Sequence, residues 1–166
     1  MFRHLTLPFA RFQPRLQPWH RRPALNRRLC ELTSKRERRL RKEPVISIVD
    51  DDQFVRDSLK RLMKSFGYMA AAYPSANDFL KSPQVEETSC LIADMHMPGV
   101  TGVELYEHLV RAGCAMPTIL ITAYPDDRVR TRALDRGVLA YLVKPFSETE
   151  LTRHVRFALE SGNRQK

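Results

Sequence analysis

VISIVDDD, residues 45–52, decides the fold. Its first five residues form a short apolar run rich in β-branched side chains, and the run stops on three consecutive aspartates. Such a run, bounded by polar residues, reads as a strand buried on both faces, as in parallel sheets. Downstream, Phe54, Val55, Leu59, Leu62, Met63 and Phe66 recur at helical spacing, and Gly67 is placed to end the helix. The pair then repeats. YMAAAY (68–73) reads as a second strand, and Ser75 caps a short helix through Leu80 with Asp78 as its capping-box partner. CLIAD (90–94) is a third strand, followed by a helix from Gly102 to Val110. TILIT (118–122) leads to a helix over Asp126–Asp135 closed by Gly137, and LAYLV (139–143) leads to a last helix over Glu148–Leu159. Alternation of this kind predicts an α/β fold: a doubly wound, five-stranded parallel sheet with helices on both faces and right-handed crossovers. Ligands of such sheets bind beyond the carboxyl ends of the strands. Asp50, Asp51, Asp52, Asp94, Thr122 and Lys144 all fall there.

Charge divides the chain. Residues 1–43 hold 13 Lys/Arg against 3 Asp/Glu, whereas the remainder holds 15 against 16, so the net charge of +9 belongs to the amino-terminal stretch. Residues 1–43 are therefore read as a basic, Pro/Arg-rich leader expected to be disordered, 44–160 as the folded domain and 161–166 as a short polar tail. Binding of nucleic acid is not expected of the domain, only of the leader if anywhere. The three cysteines fit neither a zinc pattern nor a closed disulfide framework, so a reducing, cytoplasmic setting is expected. No apolar run reaches the roughly 18 residues of a membrane helix, and the first residues lack the apolar core of a secretory signal.

Periodicity does not account for aspartates clustered at the strand ends. Such a cluster is costly unless a cation neutralises it, and all-oxygen ligands suit Mg2+, with Mn2+ as an alternative. Asp51 and Asp94 are the expected direct ligands, Asp50 binds directly or through water, and the backbone carbonyl of His96 supplies a further oxygen.

VDDD (49–52), IADMHMPGVTG (92–102), ITA (121–123) and YLVKPF (141–146) together resemble the receiver domain of two-component response regulators. The resemblance covers residues 44–160 and implies the flavodoxin-like strand order 2-1-3-4-5. It implies that Asp94 takes a phosphoryl group from phosphohistidine on a sensor histidine kinase or a histidine phosphotransfer protein. It further implies that Lys144 and Thr122 contact phosphoryl oxygens, that the Lys144–Pro145 bond is cis, and that the acyl phosphate is later hydrolysed in the same site. In such a domain Thr122 and Tyr141 form the switch: the threonine moves inward, and the tyrosine passes from exposed to buried. The face of the fourth helix, fifth strand and fifth helix then meets a downstream protein or a second copy. The text is most similar to receivers that precede a helix-turn-helix output domain. Only about six residues follow the last helix, which suits either a stand-alone receiver or an excerpt of a longer chain.

Other readings compete. One is a receiver-like interaction module that works without phosphorylation, against which the intact set of Asp94, Thr122 and Lys144 argues. Another is a regulator that meets DNA through the leader. A phosphate-ester hydrolase lacks a cap domain, and a nucleotide-binding enzyme lacks a glycine-rich loop after the first strand. Among single residues, Asp52 is expected to cap the first helix, His96 to face solvent, His154 to be exposed, and Cys90 and Cys114 to pack. Bulky Tyr124, beside the pocket, is expected to slow or redirect hydrolysis of the acyl phosphate.

Overall fold

The computed structural model describes residues 43–164, with side chains through Ser161. These lie in one compact unit. The leader reading concerns residues that, apart from Glu43, lie outside the described part.

The chain forms β1 (Val45–Val49), α1 (Gln53–Ser65), β2 (Met69–Tyr73), α2 (Ala76–Lys81), a 3-10 turn (Pro83–Glu87) and β3 (Thr88–Asp94). It continues through α3 (Gly102–Arg111), β4 (Thr118–Thr122), α4 (Asp127–Asp135), β5 (Ala140–Val143) and α5 (Glu148–Arg164). The sheet is parallel in the order β2-β1-β3-β4-β5, as expected for the doubly wound arrangement. Two boundaries differ from the sequence reading. β3 begins at Thr88, because Thr88 pairs with Val45 ahead of a register irregularity in β1. α5 runs past Leu159 to Arg164. Neither the irregularity nor the 3-10 turn carries a periodic signal.

Side-chain alternation along the strands divides the core in two. Ile46, Ile48, Cys90, Ile92, Ile119, Ile121 and Leu142 point to one face, where Leu59 and Met63 of α1 and Leu151, Val155 and Ala158 of α5 cover them. Val49, Leu91, Ala93, Leu120 and Tyr141 point to the other, against Phe79 of α2, Leu105 and Leu109 of α3, and Ala133 of α4. Because both faces are covered, the central strands are largely apolar, which explains the runs VISIV, CLIAD and TILIT; the buried Ser47 hydroxyl inside β1 pairs with that of Thr88 at 2.7 Å. Cys90 is fully buried and Cys114 half-buried; both are free thiols, and burial pushes Cys90 up to about 12.

Helix starts are specified locally. Asp52 caps α1, its carboxylate accepting N–H bonds from Phe54 at 2.7 Å and Val55 at 3.3 Å. Asp52→Ala is expected to cost about 1 kcal/mol, measured as a lowered urea midpoint with an unchanged slope. Ser75 caps α2, but the Asp78 carboxylate accepts the Ser75 hydroxyl at 2.6 Å, so the closing contact is between side chains. Thr101 and Glu104 form a complete capping box on α3, which the sequence reading passed over.

Candidate functional site

Strand register assembles the site. β1 lies between β2 and β3, so the connections leaving β1 and β3 diverge to opposite faces and open a crevice at their carboxyl ends. Val49 stands beside Ala93, which puts Asp50 next to Asp94. Asp94 stands beside Ile121, with Thr122 one residue further on, and Thr122 stands beside Val143, with Lys144 next. The Lys144 N–H donates to the Thr122 carbonyl at 2.7 Å, continuing the ladder past β5. The Lys144–Pro145 bond is cis.

Lys144 is the centre of the cluster. Its Nζ donates to Asp94 Oδ1 at 2.6 Å and to Asp50 Oδ2 at 3.1 Å. Asp50 is 1% exposed and Asp94 6%. Burial raises Asp50 above the ordinary carboxylate value; the Asp52 N–H, donated to Oδ1 at 2.9 Å, and the Lys144 ammonium offset only part of that cost. For Lys144 burial pulls downward, but the bonds to Asp94 and Asp50 outweigh it, and the ammonium is held charged above its usual range. The other Asp94 oxygen accepts the His96 N–H at 2.7 Å. Asp51 is exposed beside the pair. Among the described residues no three His, Cys, Asp or Glu side chains converge in a metal-holding group; a lysine nitrogen stands between the two buried carboxylates. The donors nevertheless fit a hard cation: they are carboxylate oxygens, two of them buried, and their repulsion already draws one positive charge between them.

Several expected positions carry additional contacts. His96 is exposed, as expected, yet its Nδ1 shares a 3.1 Å hydrogen bond with Thr122 Oγ1, and its ring meets Tyr124 edge-on at 5.5 Å. Thr122 is fully buried; its hydroxyl also accepts the Tyr124 N–H at 3.0 Å and faces the Tyr124 carbonyl at 3.2 Å. Tyr141 stands in the buried position, 8% exposed, and its hydroxyl accepts the N–H of Asp126, the cap of α4. His154 is half-buried rather than exposed: α5 lies close enough to the sheet for desolvation to lower its value.

Arg56 was missed by the sequence reading. Its Nη1 donates to the carbonyls of Asp50 at 2.7 Å and Asp51 at 2.8 Å, clamping the turn that presents the acidic residues. Its position one turn into α1, four residues after the Asp52 cap, is the signal that was available.

With this geometry, the family description "response regulator receiver domain" matches residues 46–156. Nodulation protein W of Bradyrhizobium diazoefficiens is 34% identical over 122 residues, covering 74% of this chain and 54% of that protein. Among solved structures, the response regulator StyR is 34% identical with a TM-score of 0.70, covering 75% of this chain and 63% of that one. A response regulator receiver protein from Burkholderia phymatum is 39% identical with a TM-score of 0.62, covering 71% and 96%. The fold and the family match thus define a receiver module of two-component signalling. The chain belongs to the response regulator receiver family, whose members take their signal from a histidine kinase or phosphotransfer partner and are generally Mg2+-dependent. It spans about half the length of the curated relatives it matches. Among the described residues no helix is long and apolar enough to cross a membrane.

Proposed function

We propose that Asp94 is the phosphoacceptor. One observation carries the reading: a buried carboxylate lies 2.6 Å from a lysine ammonium at the carboxyl edge of the central strands, with a second buried carboxylate on the same ammonium. An Asp94 oxygen attacks the phosphorus of a phosphohistidine; the P–N bond breaks, the imidazole leaves, and an aspartyl phosphate remains. Lys144 shifts from carboxylate to phosphoryl oxygen as a mobile point charge. Thr122 donates its hydroxyl to another phosphoryl oxygen. Asp50, Asp51, Asp94 and the His96 carbonyl are the residues that would hold Mg2+, which would supply charge neutralisation on the transferring oxygens. Tyr141 and the α4–β5–α5 face transmit the change to a downstream protein or a second copy. That face exposes Val143 and Phe157. Tyr124, 72% exposed at the rim, governs water entry, so Tyr124→Ala is expected to change the lifetime of the acyl phosphate. Equal lifetimes would remove that role.

The test is intact mass after incubation with Mg2+ and acetyl phosphate. The native chain is expected to gain about 80 Da, one phosphoryl group, only with Mg2+ present, and Asp94→Asn to gain nothing. If the native chain gains nothing from acetyl phosphate or from a phosphorylated histidine kinase, the reading fails in favour of an interaction module.

A further inference from the structure

The Thr122 hydroxyl is already taken. Among the described residues its hydrogen-bond partners belong to His96 and Tyr124, and none is Asp50, Asp94 or Lys144. A hydroxyl has one proton to give. In either imidazole tautomer that proton has a local acceptor, His96 Nδ1 or the Tyr124 carbonyl, while the Tyr124 N–H occupies a lone pair. The imidazole also meets the Tyr124 ring edge-on, with the ring planes at 84°. Meanwhile Tyr141 is already buried and tied to the cap of α4. The tyrosine half of the switch thus stands in its inward position, while the threonine half is engaged elsewhere.

We infer that the His96 side chain is a positioning residue that holds the Thr122 hydroxyl in its resting arrangement and competes with the phosphoryl group for it. The inference rests on the reading of Asp94 as phosphoacceptor and deepens it: resting and phosphorylated arrangements differ in which group Thr122 serves. A ligand shifts such an equilibrium only through its differential affinity for the two states. Any bond that favours the resting state therefore weakens binding of a phosphoryl mimic. One net hydrogen bond corresponds to about a fivefold population factor, or about 1 kcal/mol.

The experiment is calorimetric titration of the full chain with beryllium trifluoride as phosphoryl analogue in the presence of Mg2+. His96→Ala is expected to bind about fivefold more tightly than the native chain. His96→Asn, whose amide places a hydrogen-bonding atom near the Nδ1 position, is expected to restore native affinity. In a Thr122→Ala background the His96 substitution is expected to have no effect, since the coupling partner is gone. Equal or weaker binding by His96→Ala, with normal native binding, overturns the inference and leaves the phosphoacceptor reading standing. So does tightening that persists without the Thr122 hydroxyl. Absence of binding by the native chain overturns both.

Discussion

Lys144→Met is expected to destabilise the domain by about 2 kcal/mol and to make its stability strongly dependent on Mg2+. Removing one partner of a buried ion pair costs about 3–5 kcal/mol because the remaining charge stays buried and uncompensated. The lower figure applies because the Lys144 side chain is a quarter exposed, and water screens part of the interaction. Two carboxylates rather than one lose their cation, and Asp50, 1% exposed, cannot turn to solvent. Mg2+ added at 100 times its dissociation constant stabilises a folded protein by about 2.7 kcal/mol. In the variant this gain should appear at lower Mg2+, since no ammonium competes for the carboxylates. Urea denaturation at pH 7 with and without MgCl2 gives both quantities. Native stability combined with an unchanged Mg2+ response would refute the idea. The pH dependence has a definite sign. Lys144 is raised in the folded state, so its contribution is fully present below the ordinary lysine value of 10.5 and is lost as pH rises through the higher folded value. Asp50 is also raised: its neutral form favours folding, and this contribution is lost as pH rises through its folded value, so the ionised group is a net cost that Lys144 partly offsets.

Gly102→Ala is expected to cost about 3 kcal/mol and to slow phosphorylation of Asp94 by about a hundredfold. An added Cβ would stand 2.5 Å from the Asp94 carbonyl oxygen, 3.1 Å from its carbonyl carbon and 3.2 Å from Leu120 Cδ2. The closest atoms are backbone, so the clash is relieved only by moving α3 or the end of β3. Alanine returns about 1 kcal/mol of helix propensity, but Gly102 is the first residue of α3, where that gain is smallest, and the clash wins. Displacing the end of β3 shifts Asp94 relative to Lys144, and a misplacement of about 1 Å is enough to cost a hundredfold in rate. The paired measurements are the denaturation midpoint and the initial rate of mass gain with acetyl phosphate. An unchanged rate in a destabilised variant would separate packing from positioning; unchanged values of both would show that α3 yields freely.

The element order was legible in the sequence because each signal is local. β-branched runs ending in aspartate mark strands covered on both faces, and the helical spacing of Phe54 to Phe66 marks an amphipathic helix. Asp52 and Ser75 announce helix starts through contacts two or three residues away. The acidic residues, Thr122 and Lys144 were legible as strand-end groups without knowledge of any contact.

What the fold alone decided concerns partners distant in sequence. Lys144 reaches Asp50 across 94 positions and Asp94 across 50, and the Thr122–His96 bond spans 26. Each depends on strand register, which a residue list does not display. The absence of room at Gly102 and Tyr141 buried against the α4 cap also come from packing that a residue list does not display. The sequence by itself determined which residues stand at the sheet's carboxyl edge, since alternation and strand length place them there. Only the tertiary structure decided which of them touch, because side-chain pairing is set by how neighbouring strands align and how closely α3 approaches β3.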